Sequence, residues 1–430
     1  MEAYATALSY AIPGFVILII IEALAARLMK KDINNSEDVI SSLSSGMTNT
    51  LKSLLGLSIV IVSYEWMHNL FAIMDIQSSL TLYILAFIGI DFAAYWSHRF
   101  NHVINVFWNR HIVHHSSEEF NLSCALRQEI SAIVGVYFFL YIPLAIIGIP
   151  PKVIAITAPL HLFAQFWYHT RLINRMGVLE YILVTPSHHR VHHAINDIYI
   201  DKNYAAIFIV WDRMFGTFQE ELPEEEPIYG TLKPARTWNP VVINYMHMWQ
   251  LIKDAWHAQS IWDKVRIWFM PTGWRPADVI KRHPVKEIPV YERIKYQTDI
   301  SKGLLWWSWF QFILTNLLLY HMLVQFGSLD ASQLVLYASF LFLSIFGFTS
   351  LMDVHMIGLV FESIKSLFGL FIIWYSGGWF GLDAQLPMAT SLMSGYLLTA
   401  GFLAIYFIMY DRSSKSFSDK EYMHEANSLV

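Results

Sequence analysis

The chain has 430 residues, a formal net charge of −5, 15% charged residues and 55% hydrophobic ones. Ordinary soluble domains run nearer 45–50% apolar and about 25% charged, so this composition excludes them, and the small negative charge gives no sign of a nucleic-acid partner. A single cysteine, Cys124, excludes an intrachain disulfide and a cysteine-based metal site, which leaves histidine and carboxylate for any metal chemistry.

Residues 8–29 form the first apolar run long enough to cross a bilayer, which takes about 20 residues. No basic region precedes the run and no small-residue cleavage site closes it, so it reads as a retained transmembrane helix. Further spans are expected at 47–74, 80–97, 131–149 and 152–168, then at 304–326, 333–350, 354–375 and 391–410. Pro150-Pro151 is a turn signal between two of these, and that pair reads either as two spans or as one re-entrant hairpin. The 16 tryptophans suit the membrane interface.

The expected organisation is an N-terminal transmembrane part (1–79), a histidine-rich catalytic region (80–240), a cytoplasmic polar connector (241–303), a C-terminal transmembrane block (304–410) and a cytoplasmic tail (411–430). Lys30 and Lys31, the bases of the connecting stretches, and Arg412, Lys415 and Lys420 all belong in the cytoplasm by the positive-inside rule. Nine spans then place the N-terminus outside and residues 30–46, 98–130, 169–303 and 411–430 inside. The acidic run from Glu220 to Glu226 reads as a solvated loop without function.

Histidine carries the chemistry. Of 18 histidines, 11 fall between His98 and His193, where even scatter would put about four. His98 and His102 stand at i, i+4. His111, His114 and His115 stand at i, i+3, i+4, and His189, His192 and His193 repeat that pattern after His188. Those spacings share a helix face, so each box is expected to aim two or three imidazoles at one point. Imidazole suits iron, zinc, copper and nickel. So many ligands exceed one ion's needs, which implies two ions in a histidine-dominated site unlike the Glu-x-x-His bundles. Asp91, seven residues before His98, is expected to support a ligand from behind, because metal-bound histidine usually donates its other N–H to a carboxylate or carbonyl. His68, His247, His257, His283, His321, His355 and His424 read as surface or satisfied core residues, and His161 as structural. The fold class is therefore all-α, a polytopic membrane helical bundle with its histidine boxes at the cytoplasmic face.

These boxes and the text around them, HHSSEEFNLSCALRQ, FWYHT, LEYILVTPSHHRVHH and DKNYAAIFIVWDRMFGTFQEE, resemble the alkylglycerol monooxygenases of the fatty acid hydroxylase and sterol desaturase superfamily. The resemblance is close over roughly 40–240 and architectural beyond. It implies iron ligands at His98, His102, His111, His114, His115, His189, His192 and His193, with His169 as a further ligand and His188 as a ligand or close neighbour. It implies two irons, O2, tetrahydrobiopterin as reductant and a lipid substrate. Hydroxylation next to the ether oxygen would give a hemiacetal that collapses to a fatty aldehyde and glycerol. No Gly-rich nucleotide loop or haem domain stands out, so the electron donor is external. Val103 stands where those enzymes carry a glutamate, which leaves hydroxylation or desaturation of a sterol, carotenoid or fatty acid as the alternative. A histidine-rich metal transporter would place its histidines inside spans, and here most follow span ends. The membrane is that of the endoplasmic reticulum or a bacterial inner membrane.

Overall fold

The computed structural model describes residues 2–74, 76–285 and 288–428. The chain opens with α1 (Glu2–Leu28), α2 (Ser36–Leu54), α3 (Tyr64–Phe71) and α4 (Leu80–Val103). Short helices follow: α5 (Asn105–Trp108), α6 (Ile112–His115), α7 (Ile142–Ile147), α8 (Pro151–Phe163), α9 (Pro186–His193) and α10 (Val210–Phe215). The connector folds as α11 (Pro240–His257), α12 (Ile261–Arg266) and α13 (Ala277–Arg282). Four long helices close the chain: α14 (Lys302–Val324), α15 (Ala331–Met352), α16 (Met356–Ser376) and α17 (Ala389–Ser428). The side chains of Arg412, Lys415, Lys420 and His424 lie outside the described residues.

Five helices among the described residues are long and apolar enough to cross a membrane, namely Tyr4–Leu28, Leu80–Val103, Ala331–Met352, Met356–Ser376 and Ala389–Asp411. The protein is thus a multi-pass helical membrane protein; the span expected at 304–326 coincides with α14, the one expected at 47–74 is corrected, and the pair at 131–149 and 152–168 is too short for two spans, as its hairpin alternative allowed. α14 has the length but is less apolar, carrying Trp306, Trp307, Trp309, Gln311 and Asn316. Residues 47–74 do not form one helix. α2 stops at Leu54, Gly56 turns at a φ of 63°, and Ile59–Val60 pairs in parallel with Val134–Gly135. The β-branched run Ile59–Val62 favours that extended path over a helix. Residues 131–149 contain the other short strand, a 3-10 turn and the six-residue α7. Gly148 ends α7 at a φ of 90°, where a Cβ would sit 2.0 Å from the Met74 carbonyl oxygen. α8 has 13 residues, about 20 Å of helix, against a hydrocarbon core of about 30 Å.

The polar segments gather at one end of the bundle. Lys31 Nζ donates to the Arg171 carbonyl, Arg127 to Asp38, Lys295 to Glu119, and the Ser301 N–H to Asp411. Residues 30–46, 98–130 and 169–303 and the start of the tail therefore meet at the end where α4 delivers His98 and His102. Leu82, Ala86 and Ile90 of α4 pack on Leu144 and Val153 of the hairpin below this site. The C-terminal helices form a separate apolar core through Phe340, Leu341, Ile345 and Leu397. Inside it, Lys365 Nζ donates to Glu362 at 2.6 Å, Gln311 at 2.5 Å and the Tyr396 hydroxyl at 3.0 Å, with Lys365 and Glu362 fully buried.

Candidate metal centre

Nine imidazoles converge in two groups. His98, His102, His111, His115 and His192 form one, and His114, His169, His189 and His193 the other, with ligand atoms inside each group all within 4.8 Å of one another. The groups adjoin: the rings of His115 and His193 stack 4.2 Å apart, and those of His111 and His114 lie 5.0 Å apart. The boxes do not each serve one point. α6 is four residues long, and around it His111 and His115 turn to the first group while His114 turns to the second. α9 sends His192 to the first group and His189 and His193 to the second. The site is thus a shared wall between two pockets.

Backbone carbonyls orient the rings. His98 Nδ1 donates to the Tyr204 carbonyl at 2.7 Å, His192 Nδ1 to Lys202 at 3.0 Å and His169 Nδ1 to Gln165 at 3.1 Å. A carbonyl only accepts, so Nδ1 carries the proton in all three and Nε2 keeps a bare lone pair. Those Nε2 atoms face one another's neighbours: His98 to His111 at 2.7 Å, His169 to His189 at 2.8 Å, His189 to His193 at 3.0 Å and His169 to His114 at 3.3 Å. The Nε2 atoms of His102, His115 and His192 are buried and have no partner among the described residues. Converging lone pairs and orphaned buried acceptors fit a cation in each group, because buried polar atoms otherwise find a partner. Burial and mutual repulsion push the imidazoles of His111, His114, His115, His189, His192 and His193 well below the usual 6.5, and burial holds His169 at about 3. The neutral ring is the form that binds a metal.

His188 lies outside both groups. Its ring meets Phe218 at 5.5 Å. Asp91 does not touch a ligand either, which corrects its expected place. Its carboxylate accepts from His161 Nε2 at 2.7 Å, from the N–H groups of Ile207 and Phe208, and from the Trp211 indole at 2.8 Å. Two turns separate Asp91 from His98, so it sits one layer deeper and pins the 207–211 segment. His161 is its partner, and Gln165 links that layer to His169, its side-chain amide donating to His161 Nδ1 and its carbonyl accepting from His169 Nδ1.

Sequence reasoning missed Asp212. Its carboxylate accepts from the N–H groups of Tyr204 and Ala205, both at 2.8 Å, and so fixes the carbonyl that orients His98. The WD pair at Trp211-Asp212 was visible, but only distance shows what each carboxylate or indole reaches. Asn121 ties its loop through Oδ1 to the Ser123 N–H and through Nδ2 to the Ile33 carbonyl, and Arg127 joins Asp38, Ser42 and Ser116. The acidic run is not simply a solvated loop: Glu221 receives a two-pronged pair from Arg190 of box three at 2.8 and 2.7 Å, and Glu220 pairs with Arg175. Val103 packs at the edge of the Tyr95–Tyr204 cluster. Among the lone histidines, His247 bonds the Asn105 carbonyl, His257 stacks on His283, His321 meets the Tyr337 hydroxyl and His355 caps α16.

Residues 83–217, which hold all the boxes, match the family model described as fatty acid hydroxylase. Over 396 residues the chain is 33% identical to alkylglycerol monooxygenase of Homo sapiens, covering 90% of this chain and 85% of that protein. The chain belongs to the alkylglycerol monooxygenase family. The Xenopus tropicalis relative is 34% identical over 363 residues, covering 83% of this chain and 80% of the relative, and the Danio rerio relative is 41% identical over 271 residues, covering 62% and 59%. A match over 90% of the chain reaches through α14, α15 and α16, further than the sequence motifs alone suggested. No solved structure matches. Membership makes the chain a membrane monooxygenase, and the two histidine groups have the composition and spacing to hold metal ions.

Proposed function

We propose that this chain is an O2-dependent lipid monooxygenase that cleaves the ether bond of alkylglycerols to a fatty aldehyde and glycerol. The observation that carries the reading is the pair of adjoining histidine groups inside a chain that aligns with 85% of the human alkylglycerol monooxygenase. One iron would sit in the five-histidine group, held by His98, His102, His111, His115 and His192. The second would sit in the group of His114, His169, His189 and His193. When bound, the iron pair supplies the redox chemistry with O2 that no side chain here can provide. The residues themselves hold neutral imidazoles at fixed angles, and the surrounding buried aromatic rings exclude water.

The reading also assigns a port for the reductant. A cavity of about 460 Å³, lined in part by Glu118, Arg171, Tyr229, Tyr291, Arg293 and Lys295, lies beside the second group. Tyr229 stacks on Phe120 at 5.1 Å, and Phe120 lies 5.3 Å from His193 and 5.8 Å from His169. The cavity exceeds a fused bicyclic ring in volume, and its carboxylate and guanidinium groups match the donors and acceptors of tetrahydrobiopterin. The active end faces the cytoplasm by the distribution of its bases.

The test is an assay of membranes containing the protein with an ether-labelled alkylglycerol, O2 and tetrahydrobiopterin. Aldehyde and glycerol that depend on pterin support the whole reading. No aldehyde at intact iron content removes the ether-lipid substrate, and equal aldehyde without pterin removes the cofactor.

A further inference from the structure

The connector between the two membrane blocks reads as polar from its composition, yet its helices show an unpaired apolar face. α11 buries Ile243, Asn244, Leu251 and Asp254 against the body of the protein. On its opposite side, Val242, Tyr245, Trp249, Ile252 and Trp256 are exposed, with Trp256 80% accessible. Their spacing of three, four, three and four residues makes one continuous stripe. α12 and the turn after it repeat the pattern: Ile267 is fully buried while Ile261, Trp262, Val265 and Phe269 are exposed. Exposed apolar residues scattered singly are ordinary, but a contiguous aromatic stripe marks an interaction surface.

The position of the stripe identifies its partner. The turn after α12 is pinned to the end of the spanning helix α4. The Asn105 N–H donates to the Met270 carbonyl at 3.0 Å, the Val106 N–H to Trp268 at 2.9 Å, and Ile104 bridges Pro271. α4 is long and apolar enough to cross the membrane between Leu80 and Val103, which sets residues 104–106 at the level where the chain leaves the lipid. α12 therefore sits at the membrane surface, continuous with the lipid-exposed flank of α4. Tryptophan and tyrosine favour that layer, and an amphipathic helix with an aromatic apolar side lies in its plane. α11 is too polar to cross, holding Asn244, His247, Gln250, Lys253 and Asp254 within its 18 residues.

We propose that α11 and α12 are not a solvent-facing connector but an interfacial platform, with the Val242–Trp256 and Ile261–Phe269 stripes sunk into the lipid layer of the membrane that holds the protein. α11 also packs on α5 and α6, which carry or border box two. The platform thus sets the metal centre at the depth of the lipid head groups. The proposal does not depend on the ether-lipid substrate.

Collision accessibility of nitroxide labels tests it. Tyr245→Cys, Trp256→Cys and Trp262→Cys report the stripe, and Glu224→Cys and Lys281→Cys report exposed polar positions away from it; the native Cys124 is buried. Each full-length variant is labelled in nanodiscs of phosphatidylcholine and phosphatidylglycerol, and its relaxation by O2 is compared with that by a water-soluble nickel chelate. Ile261→Cys serves where an aromatic replacement lowers the yield of folded protein. The expected result is a several-fold higher O2-to-nickel ratio at the stripe positions than at Glu224 and Lys281. Equal ratios at the two sets of positions would overturn the proposal. Labels immobilised and shielded from both reagents would overturn it as well, by assigning the stripe to a second protein copy. The readout needs neither substrate nor turnover, so its failure is distinct from a failure of the ether-lipid assay.

Discussion

Within α9, adjacent histidines have different fates. His189, His192 and His193 share one side of the helix and enter the two histidine groups, while His188, about 100° away, faces Phe218. His115→Ala and His192→Ala should each lose iron and abolish activity, whereas His188→Ala should retain both irons, as read by metal analysis of purified protein. Asp212→Asn should lower activity by roughly 10–100-fold, the usual effect of loosening a group behind a metal ligand, with iron content falling in parallel. The cluster also sets an acid limit. Unfolded imidazoles titrate near 6.5 and the folded His169 near 3, so between these values the unfolded chain binds more protons. The contribution of these imidazoles to the stability of iron-stripped protein should therefore be fully present above about pH 6.5 and fall as pH drops below it. Thermal unfolding between pH 5 and 8 checks the sign: a melting temperature that rises on acidification would contradict neutral buried rings.

At the scale of elements, Lys365 offers the sharpest test. Its ammonium meets Glu362, Gln311 and Tyr396 in the apolar core of α14, α16 and α17. Lys365→Met should destabilise the protein by about 3–5 kcal/mol, because it leaves the buried Glu362 without its counter-charge. Adding Glu362→Leu should restore much of the loss, and equal damage in the single and double variants would show that packing dominates. This network was illegible in the sequence, where Gln311 and Lys365 stand 54 residues apart. The histidine boxes were legible because their spacing is local to one helical turn. The division of labour within a box was not, since it depends on how α6 and α9 cross. Apolar runs found the long helices but overstated the spans at 47–74, 131–149 and 152–168. Residues 47–74 read as one span, and only Gly56 and the β-branched run after it betray the break. Asp91 was expected behind a metal ligand, but its partners are His161 and the 207–211 segment, 70 to 120 residues away, and no periodicity points to them.

The whole molecule has two ends of different chemistry, and this fixes its orientation test. The box end gathers residues 30–46, 98–130 and 169–303 through cross-links such as Lys31 to Arg171 and Lys295 to Glu119. The opposite end holds the start of α1, where Glu2 lies against Gly327, and the α14–α15 and α16–α17 turns. Most exposed bases lie at the box end, and cytoplasmic loops carry the excess of lysine and arginine. The box end should therefore face the cytoplasm and the N-terminus the other side. Cysteines introduced at Ser328 and Gln385, both exposed in the two turns, should react with a membrane-impermeant maleimide from the non-cytoplasmic side of sealed vesicles. A cysteine at the exposed Glu224 should react only from the cytoplasmic side. The reverse labelling would invert the protein and place the metal centre, and with it the aldehyde product, on the far face. Labelling of Ser328 and Glu224 from the same side would contradict the path of α14 itself, which carries the chain from Lys302 at the box end to Val324 at the other over about 35 Å of helix.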